Sequence, residues 1–347
     1  MLAAETRTVT APVATLNPEP PVAWKQIVEP LEPFLQAVAK RLEKQVKEFD
    51  PAIAPYAEYA LTGQGKQLRP ALVALSAGAT GKINDTHITV AVIIEMVHLA
   101  TLVHDDVMDE AEIRRGRLTL AANWGNEIAV LFGDCLFAHA LKLAASFPTP
   151  EICRAVAMAT NTVCSGEILQ TQQRRNFQFS RNEYFKVLEM KTAELFALSC
   201  DLGACLGGFP GTRKGALRRF GLALGTAYQV YDDCLDLYGS EAAAGKSLGT
   251  DLAKGKLTLP MLLLWERANA SERERLQEMV QQWAPACFPR VLELLEKHDT
   301  RQESVEVIHQ YLEKARQTLS ALPESESRTG LIGLTEYLAR QTDALGV

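Results

Sequence analysis

Several features that define large classes of protein are missing from this 347-residue sequence. No stretch alternates polar and apolar residues in the way that indicates a β-strand, and no segment repeats at a fixed period. There is no basic stripe with interleaved aromatic residues, and the formal net charge is −6. Nucleic acid is therefore not expected as a partner.

Disulfides, zinc sites and membrane spans are also not indicated. The seven cysteines form no CxxC pair and show no zinc-ligand spacing, so we expect reduced core residues of a cytoplasmic protein. The longest apolar window, residues 88–103, is interrupted by Glu95 and His98 and is short for a membrane span. We therefore expect no stable membrane insertion.

The first 21 residues differ in composition from the rest of the chain. They end in the run NPEPP and contain neither a basic segment followed by an apolar core nor the Arg-rich, acid-poor composition of a transit peptide. We expect a disordered extension over residues 1–21 and one all-helical domain over residues 22–347.

Apolar residues recur every three or four positions over most of that domain, which predicts an all-α fold. Ser180 is expected to be the N-cap of a long helix. The predicted helices cover residues 24–49, 67–78, 86–108, 127–147, 151–174, 182–207 and 217–237, followed by packing helices over 258–269, 271–283, 289–297, 304–322 and 333–345.

Two of these helices end in aspartate clusters with the same i, i+1, i+4 spacing. The clusters are Asp105, Asp106 and Asp109 in HDDVMD, and Asp232, Asp233 and Asp236 in YDDCLD. Carboxylates three or four residues apart share a helix face and repel each other unless a cation lies between them. One such cluster could be a solvated helix end, but two favour a site where Mg²⁺ holds a diphosphate.

Basic residues occur where a phosphate would bind. Lys66 and Arg69 lie at the start of a predicted helix, where the backbone already favours anions. Arg114 and Arg115 follow the first cluster and can bind phosphate through two hydrogen bonds each. A loop with four glycines and three lysines, residues 239–256, suits a mobile lid that brings Lys246 and Lys256 onto phosphate, although a plain flexible loop has the same composition.

Four motifs in this order, GKQLRP, HDDVMD, YDDCLD and GTDLAKGKLTLP, resemble the trans-polyprenyl diphosphate synthases over about residues 25–270. The resemblance implies a single large helical bundle of the isoprenoid synthase type around a central cavity. It also implies a homodimer and a Mg²⁺-dependent head-to-tail condensation of isopentenyl diphosphate with an allylic diphosphate.

The resemblance further assigns roles to individual residues. The six aspartates would bind metal, and all but Asp236 would act together with Lys191 as the catalytic residues. Lys66, Arg69, His98 and Arg115 would hold isopentenyl diphosphate, and Arg114, Lys191 and Thr192 would lie at the allylic diphosphate. Lys246 and Lys256 of the lid would contact bound diphosphate. Gln229 lies one turn before the second cluster and would face the same cavity, and Glu167 and Gln170 of GEILQ would be supporting residues.

The length of the product is the last expectation. Ala100, Thr101 and Val97 precede the first cluster without a Phe or Tyr, which in the family predicts a long-chain polyprenyl diphosphate. The alternatives are a geranylgeranyl or farnesyl diphosphate synthase, a class I terpene cyclase, and a non-catalytic subunit of a heteromeric synthase. The second DDxxD motif argues against the cyclase, and the retention of all six aspartates argues against the non-catalytic subunit.

Overall fold

The described part of the chain is built almost entirely from α-helices. A computed structural model describes residues 22–62, 65–207, 211–241 and 247–346. The predicted extension over residues 1–21 and Lys246 lie outside these ranges. The helices are α1 Val22–Val28, α2 Glu32–Val46, α3 Ala54–Leu61, α4 Leu68–Thr80, α5 Asp85–Met108, α6 Leu120–Trp124, α7 Asn126–Ala145, α8 Glu151–Gln172, α9 Arg181–Leu188, α10 Glu194–Leu206, α11 Gly211–Tyr238, α12 Thr250–Ala253, α13 Leu259–Arg267, α14 Ala270–Gln281, α15 Phe288–Lys297, α16 Thr300–Thr318 and α17 Glu326–Asp343.

The two helices that carry the aspartate clusters, α5 and α11, lie in the interior of the bundle. Helix α10 packs against α4 on one side and α11 on the other, α5 packs against α7, and α11 also packs against α16. Side chains such as Ile93, Phe196 and Phe220 are fully buried there. The prediction of an all-α bundle is confirmed.

Two long predicted helices are interrupted in the structure. The helix predicted over residues 24–49 is divided by a 3₁₀ turn, Glu29–Leu31, because prolines at positions 30 and 33 remove backbone donors and cannot continue a helix. The helix predicted over residues 182–207 does begin after the N-cap Ser180. It is interrupted by a π-helical turn, Glu189–Ala193, which no proline or glycine marks.

A two-stranded hairpin follows α5, although the sequence indicates no strand. Strand β1, Ile113–Arg114, pairs antiparallel with β2, Arg117–Leu118. Two-residue strands are too short to show an alternating pattern. Arg115 and Gly116 form the turn with φ values of 52° and 73°, as two-residue hairpin turns require. The hairpin turns the chain back after the first aspartate cluster.

Two helices, α5 and α7, are long and apolar enough to cross a membrane by length and composition alone. Helix α5 matches the predicted helix over residues 86–108 to within one residue. Core helices of soluble proteins pass the same test, and 56% of the apolar window in α5 is buried inside the bundle. The corresponding share for α7 is 39%, so α7 leaves part of an apolar surface uncovered.

Candidate active site

The first aspartate cluster ends α5 beside a lysine from the π turn. Lys191 Nζ lies 3.4 Å from Asp105 Oδ2, donates a hydrogen bond of 2.9 Å to Gln170 and forms an ion pair with Glu167. Burial and the Asp105 charge raise the pKa of Glu167. Burial alone would lower the pKa of Lys191, but the two carboxylates outweigh it and raise that pKa. Two carboxylates thus share one ammonium group, and negative charge is in excess.

The third aspartate of this cluster is surrounded by cations from two other segments. Asp109 accepts contacts from Lys256 at 2.9 Å, Lys254 at 3.1 Å and Arg174 at 3.0 Å. Burial opposes ionisation, but Lys256 and Lys254 lower the pKa of Asp109 to about 2. Neither Lys254 nor Arg174 was a predicted site residue: Lys254 lies in the same Gly- and Lys-rich loop as Lys256, and Arg174 ends the predicted helix over residues 151–174.

The middle aspartate has a different environment. Asp106 is 5% exposed, and Arg114 Nε donates to its Oδ1 at 2.8 Å. Burial raises the pKa of Asp106 although the guanidinium opposes the shift. The hairpin that follows α5 therefore returns Arg114 to the cluster from which the chain has just departed.

The second cluster is held by neutral donors and by the segment after α11. Gln229 donates to Asp233 at 2.8 Å, and the Tyr184 hydroxyl donates to its other oxygen. Burial raises the pKa of Asp233 to about 8. Asp236 accepts from Thr250 Oγ1 at 2.7 Å and from the backbone N–H of Asp251 at 3.0 Å. Asp236 thus anchors the start of residues 249–256, which we call the strap.

The strap connects the two clusters. It is anchored to α11 through Asp236, and the Arg175 backbone N–H donates to the Gly255 carbonyl at 2.7 Å. Just after the second anchor, Lys256 Nζ lies 2.9 Å from Asp109 and 4.0 Å from Asp251. In the described part of the predicted lid, Lys254 and Lys256 contact Asp109 of the first cluster, and Lys246 lies outside the described residues.

The π turn places two predicted residues side by side. Lys191 faces the first cluster, and Thr192 Oγ1 donates to Gln229 at 2.8 Å on the second. Glycines flank the turn on both sides: a Cβ at Gly166 would lie 2.8 Å from the Lys191 nitrogen, and one at Gly225 would lie 2.7 Å from the Ala193 Cα. Only glycine allows α8 and α11 to approach the turn this closely.

A second basic group lies where α4 begins. Lys66 immediately precedes the N-cap Gln67, and Arg69 is the second residue of the helix. Desolvation lowers the pKa of Lys66, which lies near Asp232 and Arg115. A Cβ at Gly65 would lie 2.6 Å from the Arg115 guanidinium, so the glycine makes room for it. Arg69 packs over the Phe196 ring at 5.1 Å. Burial lowers its pKa, and its Nε has no hydrogen-bond partner among the described residues.

His98 and Glu95 complete this group. Burial, reinforced by Arg69 and Arg115, lowers the pKa of His98 well below its usual range, so the imidazole is neutral. Burial raises the pKa of Glu95, which lies near the same two arginines. Glu95 was not among the predicted site residues, although a carboxylate in the middle of an apolar helix was a visible signal.

The residues predicted to set product length lie on α5 below the first cluster. Ala100 and Val97 are buried in the bundle. Thr101 is half-buried, and its hydroxyl donates to the His98 carbonyl at 2.7 Å. Phe137, which is half-buried, packs against His104 beside the first cluster with ring centroids 5.6 Å apart. The position in the bundle is described, but the product that these residues permit stays a prediction.

The chain is similar to known proteins over most of its length. A family model described as polyprenyl synthetase matches residues 50–298. The octaprenyl diphosphate synthase of Haemophilus influenzae is 34% identical over 309 residues, which are 89% of this chain and 94% of that protein. Component 2 of the heptaprenyl diphosphate synthase of Bacillus subtilis is 34% identical over 308 residues, 88% of each chain.

A solved structure agrees with these relatives. The polyprenyl synthase of Caulobacter crescentus, crystallised with calcium and isoprenyl diphosphate, superposes with a TM-score of 0.86 at 33% identity, covering 91% of this chain and 97% of that one. This chain belongs to the polyprenyl synthetase family. The predicted family, the isoprenoid synthase type of fold and the classification as a prenyltransferase are thereby confirmed.

The donor set of this polyprenyl synthetase fits magnesium. Within the described ranges, no three carboxylate, histidine or cysteine side chains converge as a ready-made metal site. Magnesium needs only one or two protein carboxylates when water and phosphate oxygens complete its shell. The excess negative charge around Asp105 and Glu167 is the environment that a divalent cation would neutralise.

Proposed function

We propose that this polyprenyl synthetase condenses isopentenyl diphosphate with an allylic diphosphate and makes a long-chain all-trans polyprenyl diphosphate. The observation that carries the proposal is the presence of two separate cationic groups at one site. One group, around Lys191 and Lys256, is interleaved with aspartates. The other, around Arg69 and Arg115, lies beside the neutral His98. Two diphosphates with different metal requirements need two such groups.

In this proposal Asp105, Asp109, Asp232 and Asp233 hold magnesium together with the allylic diphosphate. When bound, magnesium withdraws negative charge from the leaving diphosphate as a Lewis acid. Lys191, Lys254 and Lys256, which now contact carboxylates, would turn to the phosphate oxygens.

The second group acts on the other substrate. Lys66, Arg69 and Arg115 would bind the diphosphate of isopentenyl diphosphate, and the neutral His98 would donate one hydrogen bond to it. This binding orients the double bond towards the allylic carbon as the diphosphate leaves. The strap, anchored by Asp236, keeps water away from the reacting carbon.

Small side chains support the long product. Ala100 and Val97 are followed by no aromatic residue on their face of α5 before Asp105, so the growing chain would extend past them into the bundle. The named long-chain synthases among the relatives, octaprenyl and heptaprenyl, favour the same conclusion.

We also propose that the enzyme is a homodimer that works in the cytoplasm. Apolar side chains of α7 and α8 are exposed, with Leu131 61% and Met158 65% exposed. The two helices pack against each other, so these side chains border one surface. A second copy of this chain would cover that surface. The alternative of a two-component enzyme is favoured only by the likeness to a protein named component 2.

The testing experiment uses purified protein with isopentenyl diphosphate, farnesyl diphosphate and Mg²⁺, with chromatography of the dephosphorylated products. We expect a series that ends in a long polyprenol and is abolished by Asp105→Asn or by EDTA. Geranylgeraniol as the end product would indicate a short-chain synthase. Diphosphate release from farnesyl diphosphate alone would indicate a cyclase, and no turnover would indicate a missing component.

A further inference from the structure

Tyr184 on α9 contacts the second aspartate cluster from outside every motif that the sequence suggested. Its hydroxyl donates to Asp233 Oδ2 at 2.5 Å, although the two residues are 49 positions apart. Tyr184 is 2% exposed and Asp233 is 5% exposed. The capping box formed by Ser180 and Glu183 fixes the start of α9 just before the tyrosine. The contact is therefore buried and made by a well-defined helix.

A chain of hydrogen bonds continues from this contact. Gln229 Nε2 donates to the second oxygen of Asp233 at 2.8 Å, and Thr192 Oγ1 donates to Gln229 Oε1 at 2.8 Å. The chain thus begins at Tyr184 and ends at Thr192, only eight positions later in sequence but on the π turn. It connects the second aspartate cluster twice to the segment that carries Lys191.

A small cavity connects this series of hydrogen bonds to the candidate active site. Tyr184 and Asp233 line it together with Lys256 of the strap and Gln170. Gln170 accepts from Lys191, and Lys256 pairs with Asp109. Tyr184 therefore lines the same cavity as Lys256 of the strap, which pairs with Asp109 of the first cluster.

Both donors to Asp233 are neutral groups, so their geometry determines where this carboxylate points. In the ionised form that a metal ligand requires, each oxygen of Asp233 has two lone pairs and uses one of them in these bonds. The remaining lone pairs are free to point towards the cavity only while Tyr184 and Gln229 hold the carboxylate from behind. Loss of the hydroxyl would allow Asp233 to rotate and would release the amide of Gln229 from its present orientation.

We propose that Tyr184 is a positioning residue for the allylic diphosphate and its metal ions. It acts through Asp233, and through Gln229 and Thr192 it also aligns the turn that carries Lys191. This inference rests on the proposed function. The residues proposed to bind isopentenyl diphosphate on α4 and the middle of α5 take no part in this series of hydrogen bonds.

The test compares Tyr184→Phe with a matched control, Tyr238→Phe. Tyr238 also places its hydroxyl in the bundle, 2.9 Å from Thr300 Oγ1, but contacts no site residue in that bond. For Tyr184→Phe we expect the KM for the allylic substrate and the Mg²⁺ concentration at half-maximal rate to rise about tenfold or more. The KM for isopentenyl diphosphate should stay within about twofold of the wild-type value. Tyr238→Phe should change none of the three.

Two further measurements separate positioning from folding. Calorimetric titration with Mg²⁺ and inorganic diphosphate should show about tenfold weaker binding by Tyr184→Phe, without any turnover. The double variant with Asp233→Asn should lose little more than Asp233→Asn alone, since both act at one contact. If Tyr184→Phe cannot be purified, Gln229→Met breaks the same chain and should show the same split between the two substrates.

The outcomes are distinguishable. An equal change in both KM values, or additive losses in the double variant, would overturn the role of Tyr184. An active wild type with an unaffected Tyr184→Phe variant would do the same and leave the proposed function intact. A wild type that binds Mg²⁺ and diphosphate but condenses nothing would instead overturn the proposed function.

Discussion

Acidic and basic side chains alternate in space at the site. Lys191 lies between Asp105 and Glu167, and Asp109 lies among three cations. Ion pairs in such partly buried places gain little over their separate hydration, so they can exchange partners when a diphosphate and its metal ions arrive. The alternation keeps a highly charged site compatible with a helical core until substrate binds.

Lys191 is the residue at which this exchange should be most visible. Lys191→Ala leaves Asp105 and Glu167 facing each other without the ammonium group, and it removes the contact that we propose to the allylic diphosphate. We expect kcat to fall about 10²- to 10³-fold, with little change in the KM for isopentenyl diphosphate, in steady-state assays. Lys186→Ala, at an exposed position of the same segment, is the control and should retain wild-type rates.

Glu272, far from the site, gives a pH-dependent prediction. Hydrogen bonds from Lys297 and the Asn269 backbone lower the pKa of Glu272 to about 2, whereas an unfolded glutamate titrates near 4.3. Its stabilisation is therefore complete above about pH 4.3 and is lost as the pH falls through about 2. Glu272→Gln should lower the urea midpoint at pH 7 and match the wild type near pH 2. A difference that persists at pH 2 would contradict this account.

Among the elements, the π turn is the one whose geometry serves the site most directly. It inserts one extra residue into a helical segment, so Lys191 and Thr192 reach the first and second clusters respectively. π turns occur often at functional sites. An uninterrupted α-helix would place the side chains of Lys191 and Thr192 in other directions. Gly166 and Gly225 provide the space for it.

Gly225→Ala tests this packing. The new methyl group would lie 2.7 Å from the Ala193 Cα, so the π turn must shift. We expect a loss of about 1–3 kcal/mol in the free energy of unfolding together with reduced activity. Gly215→Ala on the same helix meets only the flexible end of Arg219 at 3.2 Å and should instead gain up to about 1 kcal/mol. Urea unfolding measures both.

The strap gives a second prediction for an element. Asp236→Ala removes both hydrogen bonds that hold residues 250 and 251. We expect trypsin to cleave faster after Lys254 and Lys256, because the strap would detach from α11 more often. Mass spectrometry of timed digests measures the rate. Glu241→Ala, an exposed position after α11, is the control, and equal cleavage in both variants would exclude the anchoring role.

For the whole molecule, the uncovered apolar face of α7 and α8 has the largest consequence. Helix α7 is as long and apolar as a membrane span, yet much of its apolar window is not buried by this chain. Leu131→Lys would place a charge in the proposed dimer interface, and sedimentation should then show half the wild-type mass. Ile83→Lys, at a similarly exposed apolar residue before α5, should stay dimeric. A wild-type monomer would contradict the dimer.

Much of this molecule follows from local sequence, because helix periodicity and helix-end chemistry involve residues only a few positions apart. The two aspartate clusters, the basic start of α4 and the Ser180 cap were all predictable in this way. The same local rules predicted helices 24–49 and 182–207 as continuous. They missed the π turn because nothing within the turn itself favours it over an α-helix.

The sequence alone determined the fold class, the two aspartate motifs and the family, since four ordered motifs and helical periodicity are local properties of the chain. Only the tertiary structure decided which cation faces which aspartate, how Asp236 anchors the strap, and that Tyr184 supports Asp233. These contacts join residues up to 147 positions apart. They depend on how the helices pack, and packing is fixed by the whole set of buried side chains rather than by any one segment.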